Sequence, residues 1–252
     1  MLAGHGAARA GAGPALLRFA ETLGIPVATT FHGKGVFRDD HPLALGAVGF
    51  MRHDYVNFGF DRADLIVAVG YELQEFDPAR INPDGDTKII HVHRFPAEVD
   101  AHYDVAVGLH SDIGRSLDAL AGAVGPRPAG AVGQVRALLA AELARGQRDD
   151  RFPLAPARIV ADTRAAMRRE DIVLVDTGAL KMWMARLYPT YEPNTCLISN
   201  GLSTMAWTVP GAIGAKIARP DRRVLVATGD GAFLMNSQEI ETALRLGLAF
   251  VI

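Results

Sequence analysis

The residues best suited to chemistry lie near the end of the chain, where the apolar run Arg223–Thr228 is followed by Gly229-Asp230-Gly231. A run of this kind predicts a buried strand of a parallel sheet. Glycines at its carboxyl end let the backbone approach a phosphate, and the aspartate offers a hard oxygen ligand for Mg²⁺. The motif therefore predicts a metal and phosphate site. The alternative is that Asp230 only caps a helix that begins near Phe233.

A second turn upstream follows the same pattern. The run from Val173 to Asp176 is followed by Thr177-Gly178, which places a glycine where a strand gives way to a helix N-terminus. Backbone N–H groups at such a position bind phosphate oxygens. Between the two turns, the segment from Ser199 to Met205 predicts another loop at a strand end. Two such turns in one sheet are more specific than either turn alone.

The elements that must position these turns alternate between strand and helix, which indicates a parallel α/β architecture. In the first half the predicted strands are Pro26–Thr30, Leu65–Gly70, Lys88–Val92 and Val105–Gly108, and the predicted helices are Pro14–Leu23, Arg52–Phe58 and Ser111–Val124. In the second half the predicted strands are Asp171–Asp176, Thr195–Ser199 and Arg223–Thr228, and the predicted helices are Ala155–Arg168, Ala179–Leu187, Val209–Ala218 and Leu234–Leu246.

This order predicts two Rossmann-like domains with parallel sheets, residues 1–124 and 155–252. The linker between them, residues 125–154, begins with a Gly/Pro-rich stretch and contains a solvated helix, Ala131–Arg145. Met1 to Gly4 look like the tail of a strand, and Ala249 to Ile252 look like the start of one. We therefore expect a piece of a longer protein, with the second domain truncated.

Composition narrows the class of protein. A net charge of −2 gives no electrostatic footprint for nucleic acid, and no apolar stretch is long enough to predict a membrane span. The single cysteine, Cys196, excludes an intrachain disulfide framework, and we expect it to be a small buried apolar residue. With no signal peptide at the start, these features favour the cytoplasm.

All eight histidines lie between His5 and His110. Side chains alternate along a strand, so His91 and His93 would share one face and could suggest zinc. No cysteine or further histidine has matching ligand spacing. The favoured interpretation is polar residues at a strand end.

The motifs together resemble the C-terminal cofactor domain of thiamine-diphosphate enzymes, and most of all that of acetolactate synthase large subunits. The likeness is carried by Gly178-x-x-Lys181-Met182-Trp183, by the segment from Ile198 to Met205, and by Gly229-Asp230-Gly231-Ala232-Phe233. The segments Phe31 to Val36 and Asn82 to Asp86 look like the central domain of the same family. The resemblance runs in order along essentially the whole chain.

The resemblance implies a cofactor site for thiamine diphosphate and Mg²⁺. Asp230 would ligate the metal, and Met205 would support the bent thiamine. The other residues placed at the cofactor are Gly178, Ala179, Lys181, Gly201, Gly229, Gly231 and Ala232. Lys181 could reach a phosphate, whereas an exposed helical lysine is its alternative role. The implied reaction joins two pyruvates, or pyruvate and another 2-oxo acid, with loss of carbon dioxide.

Three departures from the family pattern concern the site. The family's second Mg²⁺ ligand follows the next strand, past Ile252, and its activating glutamate belongs to an N-terminal domain. No catalytic residue is therefore assigned within this chain, and we expect the polypeptide alone to bind the cofactor weakly without turnover. Leu180 stands where many relatives have a histidine that contacts the diphosphate.

Flavin is left open by the resemblance but is not favoured. Members that keep FAD carry an Arg-rich turn where this chain has Tyr71 to Phe76 without arginine. Gly4-His5-Gly6-Ala7-Ala8-Arg9 departs from the dinucleotide fingerprint at its last position. Because family members hold each cofactor between two subunits, a homo-oligomer is expected for the full-length protein.

Two other functions remain open at this point. One is a different thiamine-diphosphate 2-oxo-acid decarboxylase or carboligase, since the residues quoted above concern the cofactor and not the substrate. The other is a non-catalytic nucleotide-binding remnant that keeps the α/β fold.

Overall fold

The computed structural model describes residues 1–49, 54–98, 100–127 and 133–252. They form two compact units, Met1–Glu142 and Leu143–Ile252. Residues 128–132 belong to the predicted linker and lie outside the described residues. Most of the remaining linker is helical. The proposed domain limits at residues 124 and 155 stay a prediction.

The first unit is built on a six-stranded parallel sheet with the order β3-β2-β1-β4-β5-β6. Its strands are β1 Leu2–Ala3, β2 Val27–Thr29, β3 Ala44–Ala47, β4 Leu65–Val69, β5 Lys88–His93 and β6 Val105–His110. The predicted strands and the strand at the chain start are confirmed, whereas β3 was not predicted. The order reverses between β1 and β4, which makes that crevice the topological switch point.

Helices cover this sheet. They are α1 His5–Arg9, α2 Gly13–Leu23, α3 Phe58–Asp61, α4 Ile113–Val124 and the part of α5 Gly133–Arg148 that precedes Leu143. Helix α2 ends at Gly24, whose φ of 61° is the left-handed conformation of a helix C-cap. At α4 the Asp112 side chain accepts a hydrogen bond from the N–H of Arg115 at 3.0 Å. In the predicted helix Arg52–Phe58, Arg52 lies outside the described residues, and Tyr55–Asn57 form a 3-10 turn that leads into α3.

Two apolar clusters sit on opposite faces of the sheet, as the alternation of side chains along a strand requires. Ala3 and Val67 belong to the cluster beneath α2 and α4, and the neighbouring Leu2 and Ile66 belong to the other. Both faces are therefore buried, which explains why these strands read as nearly continuous apolar runs.

The second unit has a three-stranded parallel sheet with the order β8-β7-β9. The strands are β7 Ile172–Val175, β8 Cys196–Ile198 and β9 Val224–Ala227, and the helices are α6 Pro156–Ala166, α7 Ala179–Leu187, α8 Thr208–Ala218, α9 Asp230–Met235 and α10 Glu239–Arg245. A parallel bridge joins Val251 to Leu225. Cys196 is buried, as expected. The α/β class and the parallel sheets are confirmed.

The predicted single helix Leu234–Leu246 is wrong. The segment contains two helices, α9 and α10, with a break at Asn236, whose φ of −135° is not helical. The Asn236 side chain donates a hydrogen bond to the Ala206 carbonyl at 2.8 Å. A tertiary contact therefore holds the chain out of the helical path at a residue whose own helix propensity is low.

Candidate functional site

Three loops meet at the carboxyl edge of the second sheet because β7, β8 and β9 are parallel. The turn at Gly178 follows β7, residues 199–207 follow β8, and Gly229-Asp230-Gly231 follows β9. A Cβ placed on Gly178 or on Gly229 would lie 3.8 Å from the same atom, Leu180 Cδ2. The structure therefore brings the two glycine turns together around Leu180.

Each glycine turn opens a helix. Gly178 has a φ of 138°, which favours glycine, and the first hydrogen bond of α7 runs from Lys181 N to Gly178 O at 3.1 Å. The N–H groups of Ala179 and Leu180 lie before Lys181, at the N-terminus of the helix. In α9 the first bond runs from Phe233 N to Gly229 O at 2.9 Å. Both turns therefore direct first-turn N–H groups of a helix toward the edge of the sheet.

Asp230 is the first residue of α9 and is exposed. The capping interpretation is wrong in the form predicted, since the helix begins at Asp230 itself and Gly229 occupies the cap position. Asp230 Oδ1 accepts a hydrogen bond from the N–H of Gly231 at 2.8 Å. The described residues contain no group of three or more His, Cys, Asp or Glu side chains that could hold a metal by itself. An exposed carboxylate beside a helix N-terminus fits a cation that takes its other ligands from phosphate and water.

The loop between β8 and α8 is tightly bent. Gly201, Ser203 and Ala206 have positive φ values of 74°, 50° and 69°. Met205 is 41% exposed, and its Cε lies 3.8 Å from where a Cβ on Gly231 would be. The predicted residues Met205 and Gly231 are therefore neighbours. Ala232, by contrast, turns its side chain into the interior and is 2% exposed.

Lys181 is not the exposed helical lysine of the alternative interpretation, because it is only 8% exposed. Its Nζ donates to Asn200 Oδ1 at 2.9 Å and to Ser203 Oγ at 3.0 Å. Burial lowers the pKa of this ammonium group. The contacts show Lys181 bracing the loop, and its contact with a phosphate stays a prediction.

Sequence reasoning assigned no role to Asp176, which is fully buried at the end of β7. Its carboxylate bonds to Ala206 N at 3.0 Å and to Thr208 Oγ1 at 2.5 Å. The available signal was an acidic residue at the end of an apolar strand, directly before Thr-Gly. That position demands partners for a buried charge.

A cavity of about 660 Å³ opens beside these turns in the second unit. Its lining includes Ala179, Gly229 and Asp230 from the two glycine turns. Apolar side chains of α6, α7 and β9 also line it, among them Ile159, Trp183 and Leu225. The cavity therefore adjoins the first turns of α7 and α9.

The switch point of the first unit is occupied by the chain itself. The Glu75 carboxylate accepts hydrogen bonds from His5 N at 3.1 and 3.2 Å, from Glu72 N at 3.1 Å and from Thr30 Oγ1 at 2.5 Å. A dinucleotide would place its diphosphate at the turn between β1 and α1. The Glu75 side chain fills that turn and takes up its N–H donors, so the residues do not fit the diphosphate of FAD.

His91 and His93 stack with ring centroids 5.5 Å apart, on one face of β5 as predicted. The ring nitrogens of His91 lie 2.9 Å from the Tyr103 hydroxyl and 3.2 Å from the Phe95 carbonyl. His93 Nδ1 accepts from Phe95 N at 3.0 Å. These bonds serve the fold and support the strand-end interpretation over zinc.

Comparison with known proteins assigns the class. Residues 1–120 match the family described as "Thiamine pyrophosphate enzyme, central domain", and residues 176–252 match "Thiamine pyrophosphate enzyme, C-terminal TPP binding domain". Thiamine pyrophosphate is another name for thiamine diphosphate. The second match includes every residue that the sequence placed at the cofactor. The two matched regions place the chain in the family of thiamine pyrophosphate enzymes.

Similar proteins narrow this further. The chain is 35% identical to the probable acetolactate synthase large subunit of Methanocaldococcus jannaschii, with all of the chain and 44% of that protein aligned. It is 33% identical to the same-named protein of Methanococcus aeolicus (100% and 45% aligned) and 30% identical to an acetolactate synthase of Bacillus subtilis (92% and 42%). The chain belongs to the acetolactate synthase large-subunit family of thiamine-diphosphate enzymes. It spans less than half the length of these relatives.

None of the helices in the described ranges is long and apolar enough to cross a membrane.

Proposed function

We propose that the protein acts in acetolactate synthesis, in which two pyruvates and one proton give acetolactate and carbon dioxide. In this proposal the second unit holds thiamine diphosphate and Mg²⁺ at the carboxyl edge of its sheet. One observation supports it most strongly. The N-termini of α7 and α9, each preceded by a glycine, lie at that edge together with Asp230 and Met205. When bound, the cofactor supplies a carbanion equivalent and an electron sink.

The residues of the chain have separate roles in this proposal. The N–H groups at Gly178–Ala179 and at Gly229–Ala232 bind diphosphate oxygens, with Gly201 leaving room in the facing loop. Asp230 holds Mg²⁺ through an exposed carboxylate. Met205 contacts the thiamine from the loop, and Lys181 fixes that loop through its hydrogen bonds to Asn200 and Ser203.

Cofactor binding by the chain tests the proposal. We expect calorimetry with thiamine diphosphate and Mg²⁺ to detect binding, and Asp230→Ala to weaken it at least about tenfold, because one of the few protein oxygens near the diphosphate is lost.

Asp221 provides a matched control, since it is an exposed aspartate at the opposite edge of the same sheet. Asp221→Ala is expected to bind as the unaltered chain does. Unchanged affinity in Asp230→Ala would contradict the metal assignment, and failure of the unaltered chain to bind would contradict the cofactor site.

The activity is tested with the protein that is expressed from the reading frame containing this sequence. That protein is expected to convert pyruvate to acetolactate and carbon dioxide in equal amounts. Release of carbon dioxide with a different product would favour another 2-oxo-acid enzyme of the same cofactor. A homo-oligomer and a cytoplasmic location remain predictions.

A further inference from the structure

Asp176 lies at the carboxyl end of β7 and is completely inaccessible to solvent. We infer that Asp176 is the positioning residue that holds the three loops of the proposed cofactor site in one arrangement without contacting the cofactor. This inference rests on the proposed function for the identity of the ligand. The loop geometry it explains stands without it.

The carboxylate bonds to three separate segments. Oδ1 accepts from Thr177 N at 2.8 Å, in its own turn, and from Ala206 N at 3.0 Å, in the loop after β8. Oδ2 accepts from Thr208 Oγ1 at 2.5 Å, at the start of α8, and lies 3.4 Å from Thr228 Oγ1, directly before Gly229. One buried group therefore joins the ends of β7 and β9 to the loop that carries Met205.

The loop after β8 needs such a restraint. Ser203 and Ala206 are not glycine, yet both adopt the left-handed region, with φ of 50° and 69°. Backbone of this kind persists only where the surroundings over-determine it. Ala206 is held on both sides, since its N–H donates to Asp176 and its carbonyl accepts from Asn236 Nδ2 at 2.8 Å. Because Met205 directly precedes Ala206, this bond also fixes the backbone of Met205.

The chemistry of the donors explains why the residue is an acid. Two backbone N–H groups and two hydroxyls converge on the side chain, and a carboxylate is the acceptor-only group that satisfies all four. Asparagine is nearly as suitable, because its oxygen can accept from both N–H groups while its NH₂ donates to hydroxyls that reverse their roles. Alanine leaves the buried donors unpaired.

The test measures the loop and the ligand separately. Amide hydrogen exchange followed by mass spectrometry reports on residues 203–206 and 228–231. Calorimetry with thiamine diphosphate and Mg²⁺ reports affinity. We expect Asp176→Ala to speed exchange in both segments and to weaken binding, each at least about tenfold, and Asp176→Asn to restore both to within about threefold of the unaltered chain.

Asp171 is the matched control because it is equally buried at the opposite end of the same strand, where it pairs with Arg223 at 2.6 Å. Asp171→Ala is expected to lower Tm but to leave the affinity within about twofold. If Asp176→Ala fails to fold, Thr208→Val removes one donor and is expected to give the same changes at smaller size.

The outcomes are distinct. Unchanged exchange at residues 203–206 in a folded Asp176→Ala overturns the inference, as does unchanged affinity in that variant. A loss of affinity that Asp176→Asn fails to restore, or that Asp171→Ala reproduces, also overturns the positioning role and leaves a general effect of destabilisation. Absence of binding by the unaltered chain counts against the proposed function, while the exchange measurement still decides the role of Asp176.

Discussion

At the scale of single residues, two buried carboxylates show how the chain uses one chemical group in two settings. Asp176 joins loops at the candidate site, and Glu75 fills the switch point of the first unit. Burial raises the pKa of Glu75 to about 7, by more than its hydrogen bonds from Thr30, His5 and Glu72 lower it. Glu72, Tyr71 and Tyr103 also face this group. Glu75 therefore exchanges a proton near neutral pH.

This shift predicts a pH-dependent stability. The pKa of Glu75 is higher in the folded than in the unfolded chain, so its contribution is fully present below about pH 4.5 and is lost as the pH rises through about 7. Glu75→Gln removes the titration and keeps the shape. The unfolding free energy of the variant relative to the unaltered chain is expected to rise by about 2–3 kcal/mol between pH 4.5 and 8, measured by urea denaturation.

Comparing variant with parent isolates Glu75 from other groups that titrate in the same range. A difference for Glu75→Gln that stays flat with pH would mean that the carboxyl has no raised pKa.

The same residue scale shows what sequence could predict. Gly178, Gly229 and Asp230 can be recognised in the sequence because each belongs to a short motif of consecutive residues directly after an apolar run. The sequence predicts Lys181 at the cofactor, with an exposed helical lysine as the alternative, whereas its observed partners Asn200 and Ser203 lie 19 and 22 positions away. Likewise, the partners of Asp176 outside its own turn lie 30 to 52 positions away. A local pattern can mark Asp176 as a buried acid that needs partners, but the identity of the partners depends on which loops the sheet brings together.

At the scale of elements, helix α8 contains two glycines in contrasting surroundings. A Cβ on Gly211 would lie 2.8 Å from Leu174 Cδ2 and 3.1 Å from two ring carbons of Trp207, whereas a Cβ on Gly214 would meet nothing within 4 Å. Gly211 therefore allows the helix to approach β7, and Gly214 only adds backbone freedom to the unfolded chain.

The two glycines give opposite predictions from the same substitution. Gly211→Ala is expected to lower the unfolding free energy by about 1–3 kcal/mol through overpacking. Gly214→Ala is expected to raise it by about 0.5–1 kcal/mol. Thermal or urea denaturation of both variants measures this, and equal effects of the two substitutions would refute the close packing of α8.

Strands with β-branched residues, such as β4, β5 and β7, were predictable because their apolar runs are continuous. Strand β3 was missed because Ala44-Leu45-Gly46-Ala47 lacks any β-branched side chain and is a strand by virtue of its pairing with β2. The boundary between α9 and α10 was missed for a similar reason: the contact of Asn236 with Ala206 is tertiary.

At the scale of the whole molecule, each of the two units has its own apolar core. In the first unit Glu75 fills the switch point, whereas in the second unit the described residues leave a cavity of about 660 Å³ beside the glycine turns. Two successive α/β units were predictable from the alternation of strands and helices. The closure of the first turn by Glu75 was not, because His5 and Glu75 lie 70 positions apart in the sequence.

This difference predicts where a ligand protects the chain. At a free concentration of about 100 times Kd, thiamine diphosphate with Mg²⁺ is expected to raise the free energy of unfolding of the chain by about 2.7 kcal/mol. The expected slowing of amide exchange lies within Leu143–Ile252, foremost at residues 203–206 and 228–231, and exchange in Met1–Glu142 stays unchanged. Protection centred on the turn at Glu75 would instead show that the first unit binds the ligand.

The tip of the loop after β8 also makes the protein easy to label. Leu202 is 99% exposed beside the candidate site, and the single native thiol, Cys196, is buried at 4% exposure. A Leu202→Cys variant therefore presents one reactive thiol to a maleimide dye, with no need to remove the native cysteine first. The attached fluorophore would sit three residues from Met205, where its emission could follow the loop in real time.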